Sequence, residues 1–103
     1  MNALLRIYIG ADHRHEHIPT WEWILYRAQS FGLPGGTALE GVSGFGPQSR
    51  RKGLGLDSLS SDKSMLVELV GERVALESFV GQLQQTTALA PAVVTILDVT
   101  TLG

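Results

Sequence analysis

The order in which hydrophobic periods follow one another constrains this chain more than any single residue does. Residues 4–9 alternate, with Leu5, Ile7 and Ile9 on one side and Leu4, Arg6 and Tyr8 on the other, the period-two pattern of a strand. Pro19 and Thr20 then open a run in which Trp21, Ile24, Leu25, Ala28 and Phe31 recur at helical spacing, closed by Gly32, Pro34 and the Gly35-Gly36 pair. A second strand is predicted over residues 37–42 and a third over 65–70, where Met65, Val67 and Leu69 oppose Leu66, Glu68 and Val70. A helix follows over residues 72–87 with an apolar stripe of Leu76, Phe79, Val80 and Leu83, and Pro91 sets up a last strand over 93–99.

The order βαββαβ is that of the split βαβ unit, an α+β, ferredoxin-like sandwich. It predicts a four-stranded antiparallel sheet with spatial order four, one, three, two and both helices on one face. The chain of 103 residues is read as one domain, 1–103, with a long loop at about 43–64 where no period is sustained. Its 44% hydrophobic and 17% charged content fits a folded chain, and a net charge of −2 lacks the basic excess of a general nucleic-acid coat protein. The absence of cysteine excludes disulfides, thiolate nucleophiles and zinc–cysteine clusters. The apolar start is short and interrupted by Arg6, and no stretch reaches the roughly 18 apolar residues of a membrane helix. The expectation is a soluble cytoplasmic protein without direct membrane insertion.

In that strand order Arg6 neighbours Glu68, and Glu40 lies beside Glu68, all pointing away from the helices. By the same parity Leu4, Tyr8, Leu66, Val70, Val94 and Ile96 share their face. Such a face is either a solvated open sheet or an apolar patch covered in a symmetric oligomer, which would enclose Arg6, Tyr8, Glu40 and Glu68.

Three clusters carry candidate chemistry. Gly41, Gly44 and Gly46, with Phe45 between the last two and Ser49, Arg50, Arg51 and Lys52 following, combine backbone donors with guanidinium forks, the combination suited to a phosphate or other anion. The segment is neither the dinucleotide fingerprint, since it does not lead into a helix, nor a Walker loop, since no Gly-Lys-Ser/Thr follows. The other reading is a solvated loop tip. His13, His15 and His17 alternate with Arg14 and Glu16; in an extended segment all three imidazoles would lie on one side within reach of a shared metal, against the reading of a histidine-rich polar connection. Trp21 and Trp23 cannot share one helix face, so one is expected in the core and one partly exposed. No nucleophile elbow and no paired carboxylates are present, so catalysis is not expected.

Along nearly its whole length the chain resembles the PII-like bacterial family labelled domain of unknown function 190. The likeness rests on Leu5-Arg6-Ile7-Tyr8-Ile9-Gly10, Arg14-His15, Pro19 and Glu22, Arg27-Ala28, Gly32-Leu33, Gly41-Val42-Ser43-Gly44-Phe45-Gly46, Ser49-Arg50, Leu59-Ser60-Ser61-Asp62 and Val67-Glu68-Leu69-Val70. The resemblance implies a ferredoxin-like subunit, a homotrimer with sheets facing inward, and a signalling loop that takes an adenine nucleotide or other small anion at the subunit cleft. It implies a protein partner regulated through that loop. The residues carried over are Gly41, Gly44, Phe45, Gly46, Ser49 and Arg50. The alternatives are a CutA-like divalent-metal trimer using His13, His15 and His17, and an adaptor without a small ligand. The chain departs from the family in its glycine-rich stretch after Arg50 and in carrying His17 where a glycine is usual.

Overall fold

The computed structural model describes residues 1–42 and 63–103. The main elements are β1 (Asn2–Gly10), β2 (Arg14–His15), β3 (Ile18–Pro19), α1 (Thr20–Phe31), β4 (Gly35–Glu40), β5 (Ser64–Glu72), α2 (Arg73–Leu83) and β6 (Val93–Asp98). Four of the strands form one antiparallel sheet in the order β4-β5-β1-β6, the predicted order. Both helices lie on one face of it.

Strands β1 and β5 are the central pair because their alternation is complete. Ala3, Leu5 and Ile7 of β1 and Val67 and Leu69 of β5 are buried under the helices. Against them pack Ile24 and Ala28 from α1 and Leu76, Phe79 and Leu83 from α2. The Phe31 and Phe79 rings meet at 5.4 Å, tilted by 57°, and join the two helices.

Helix α1 starts at Pro19, which offers no side-chain cap; the Thr20 amide instead donates to the His13 carbonyl at 2.8 Å. It ends where Gly32 turns left-handed at φ 96°, with the amides of Gly32 and Leu33 both returning to the Ala28 carbonyl. Helix α2 opens with Arg73, whose guanidinium bonds Asp98 at 2.7 Å and Glu77 at 3.3 Å, tying the helix to the end of β6. The hydrogen bond to Asp98 is the leading cause that raises the Arg73 pKa.

Four expectations need correction. The strand predicted over 37–42 lies two residues earlier, because Gly35 and Gly36 are strand residues: a Cβ on Gly36 would stand 2.7 Å from Leu69 Cδ2 and 3.2 Å from Leu25 Cδ2. Here glycine permits close approach of strand to core rather than breaking the chain. The second helix stops at Leu83 instead of residue 87, and the chain turns through a Thr86 hydroxyl that donates to the Leu83 carbonyl and accepts from the Ala88 amide. In β6 the register Leu5↔Ile96 and Ile7↔Val94 puts Val94 and Ile96 on the helix side, leaving Val93, Thr95 and Leu97 on the open face. In β4 it is Thr37 that pairs with Glu68, whereas Glu40 pairs with Met65, on the helix-side parity.

Candidate functional site

The open face of the sheet is built around one ion pair. Arg6 and Glu68 are directly paired across β1 and β5, and Arg6 Nε donates to Glu68 Oε2 at 3.0 Å. Leu4↔Val70 and Tyr8↔Leu66 flank the pair on the same strands. Tyr8, Leu39, Val93 and Leu97 are each between 40% and 50% exposed, so the pair sits in an aliphatic and aromatic field open to one side. Of the sequence-predicted face residues, Arg6, Tyr8 and Glu68 are brought together. Glu40 is not among them: its carboxylate meets Lys63 Nζ at 3.2 Å.

That Glu40–Lys63 contact belongs to the root of the segment at 43–62. The Gly41 amide donates to the Ser64 carbonyl at 2.7 Å, extending the β4–β5 pairing by one rung, and the Ala11 amide donates to the Lys63 carbonyl at 3.0 Å. A Cβ on Gly41 would lie 2.7 Å from Ser64 Oγ and 3.4 Å from the Ser64 carbonyl oxygen, so a side chain there forces the Ser64 hydroxyl into another rotamer. Gly41→Ala is therefore expected to lower the midpoint of thermal unfolding by a few degrees, about 1 kcal/mol for a forced rotamer. Ser64→Ala in the same chain should recover most of the loss. An unchanged midpoint in the single variant would mean that the root does not depend on this contact. The other anion-site residues of the sequence reading, Gly44, Phe45, Gly46, Ser49 and Arg50, lie outside the described residues.

The histidine segment does not extend as the alternation argument requires. It folds back as a two-residue hairpin in which Arg14 pairs with Pro19 and His15 with Ile18. Glu16 and His17 close the loop at φ 51° and 73°, the positive pair typical of a type I′ turn. The imidazoles consequently diverge. His13 Nδ1 lies 2.5 Å from the hydroxyl of the buried Thr20, and His15 stacks edge-on against Trp23 with centroids 4.3 Å apart. His17 is exposed, and its carbonyl accepts from Arg14 Nη1 at 3.1 Å. Among the described residues no three His, Asp or Glu side chains are grouped to hold a metal ion. Trp23, 9% exposed, is the more buried of the two tryptophans and carries Arg27 over its ring at 5.7 Å, while Trp21 packs partly buried at the core margin. Among the described residues no helix is long and apolar enough to cross a membrane.

The family model DUF190, described as Uncharacterized ACR, matches residues 2–101. The chain belongs to the DUF190 family. A relative of this DUF190 chain, a UPF0166 protein from Aquifex aeolicus (strain VF5), is 28% identical over 81 residues, 79% of this chain and 77% of the relative. The fold is that of CPII from Thiomonas intermedia K12, a nitrogen regulatory PII-like protein. Its apo form superposes with a TM-score of 0.62 at 15% identity, covering 95% of this chain and 88% of CPII. The form bound to ADP and bicarbonate gives 0.65 at 17% identity over 95% and 85%. The DUF190 chain thus has the ferredoxin-like fold seen in CPII. The sequence motifs that carried the resemblance fall partly in the described strands, at residues 5–10 and 67–70, and partly in 43–62.

Proposed function

We propose that this protein is a PII-like trimeric regulator that takes an adenine nucleotide, or another small anion, at the cleft between subunits through the segment rooted at Gly41. The observation that carries the reading is the likeness of the whole subunit to CPII, a protein whose structure holds ADP and bicarbonate. Two features of this chain support it. The open face presents apolar residues around Arg6 and Glu68, the composition of a surface that a symmetric oligomer covers. Gly41 and Ser64 are bonded at the end of the sheet, and the sequence between them holds the glycines Gly44 and Gly46 and the cations Arg50, Arg51 and Lys52. Backbone donors beside guanidinium forks recognise phosphate in this way.

The protein acts by binding and not by turnover. A bound anion biases the conformation of the segment that docks a protein partner, and the size of the bias equals the ligand's preference for one conformation over the other. The domain reading of the sequence, one unit over 1–103 with a long loop at about 43–64, goes with this proposal. So does a cytoplasmic location, where adenine nucleotides are at hand.

The test is thermal unfolding of the purified protein against ATP, ADP, AMP and bicarbonate. A ligand at one hundred times its dissociation constant adds about 2.7 kcal/mol, a shift of several degrees for a domain of this size. Arg50→Ala is expected to reduce the nucleotide shift while leaving the ligand-free midpoint and the oligomer mass unchanged. A flat response to every nucleotide and to bicarbonate would remove the ligand from the proposal.

A further inference from the structure

We infer that the β2–β3 hairpin is a strained strap whose docking on α1 sets how firmly one side of the 43–62 root is held. Two consecutive residues with side chains, Glu16 and His17, occupy the left-handed region that glycine or asparagine fills at little cost. Strain of this kind persists only where surrounding contacts over-determine it. Those contacts are on hand and come from one element. His13 reaches the Thr20 hydroxyl and, through its carbonyl, the Thr20 amide; His15 lies edge-on against Trp23. Arg14 closes the turn from within by donating to the His17 carbonyl.

The closed hairpin is therefore a balance between turn strain and docking on the first turn of α1. A hairpin closed by glycine would be held without opposition; this one opens more readily by the size of the strain. Opening has a defined consequence. The chain enters the hairpin through Ala11, whose amide donates to the Lys63 carbonyl, and the His13 amide donates to the Gly10 carbonyl. Ala11, three residues ahead of the hairpin, thus continues the β1–β5 ladder past the Gly10↔Ser64 pair to the residue from which β5 emerges, one position from the Gly41–Ser64 rung. The docked arrangement is the one the structure shows, and its release is the second state that the inference requires for a change to pass between α1 and the root.

The inference needs no nucleotide, so it stands or falls separately from the ligand reading, and its test uses the ligand-free protein. Amide hydrogen exchange is measured at Ala11, Thr20 and Gly41, with Trp23 emission followed in a Trp21→Phe background. His17→Gly relieves the strain and is expected to slow exchange at Ala11 and Thr20 by about five- to thirtyfold, the factor that corresponds to strain of this order. His15→Ala removes the contact on Trp23 and is expected to speed exchange at both amides and to shift Trp23 emission to the red. Exchange at Gly41 should follow Ala11 in the same direction in both variants. Unchanged or faster exchange at Thr20 in His17→Gly would show that no strain is stored. Changes confined to Thr20, with Ala11 and Gly41 unmoved, would show that the hairpin is not coupled to the root.

Discussion

Phe79→Ala is expected to lower the free energy of unfolding by about 3–5 kcal/mol, the usual loss for deleting a buried aromatic ring. The ring is 1% exposed and lies on α2 between Leu76 and Leu83. Its edge meets Phe31 of α1, so its removal opens the seam between the helices as well as the contact with the sheet. Neither helix can close that gap alone, since α1 is fixed at its end by Gly32 and α2 is tied to β6 through Arg73. A domain of this size has about 5–15 kcal/mol to lose, so the variant is left near the threshold of folding. Urea unfolding gives the measurement, read as a lower midpoint at an unchanged slope. Val74→Ala, on the same helix but 76% exposed, is the comparison and should fall within about 0.5 kcal/mol of the parent. Equal losses in the two variants would mean that the core does not close around Phe79.

How much of this fold the sequence discloses depends on whether each strand has two chemically different sides. Strands β1 and β5 do: Arg6 and Glu68 mark the open face, and uninterrupted aliphatics mark the other. Strand β6 does not. Val93, Val94, Ile96 and Leu97 are aliphatic on both sides, so periodicity cannot set its phase, and the register is decided by pairing with β1. Strand β4 was misplaced for a different reason. Gly35 and Gly36 read as chain breakers because their role, letting the backbone approach Leu69 and Leu25, is a tertiary matter that composition does not carry. The hairpin at residues 14–19 was equally hidden, since Glu16-His17 lacks the Asn-Gly or Asp-Gly signal that such turns usually show. That same substitution is what makes the turn strained. Strand parity places Arg6, Tyr8 and Glu68 on the open face, where the pairing of β1 with β5 has them. The extended backbone through His13, His15 and His17 on which the metal reading rests is replaced by the hairpin.

Charge reversal at Arg6 and Glu68 should decide what covers the open face. In the separate subunit the side chains are 38% and 27% exposed. A pair that stays in contact with water contributes about 0–1 kcal/mol, so removing one partner would hardly register. A pair enclosed in an oligomer behaves differently, because the survivor is left charged and desolvated, at about 3–5 kcal/mol. For the trimer proposed above, Glu68→Arg is therefore expected to shift the mass in light scattering at micromolar concentration towards that of a single chain, and Arg6→Glu to do the same. The double variant Arg6→Glu with Glu68→Arg restores opposite charges at the same register position and should regain most of the assembly. That recovery measures the coupling between the two positions, since each single leaves like charges facing each other and the double restores one cation and one anion. Because association depends on concentration, the thermal midpoint of the parent should also rise on concentrating the protein, and that of the singles should not. Single variants that keep the parent mass and midpoint would mean that the Arg6–Glu68 face stays open to water, and the aliphatic residues around it would then be a surface for some other partner.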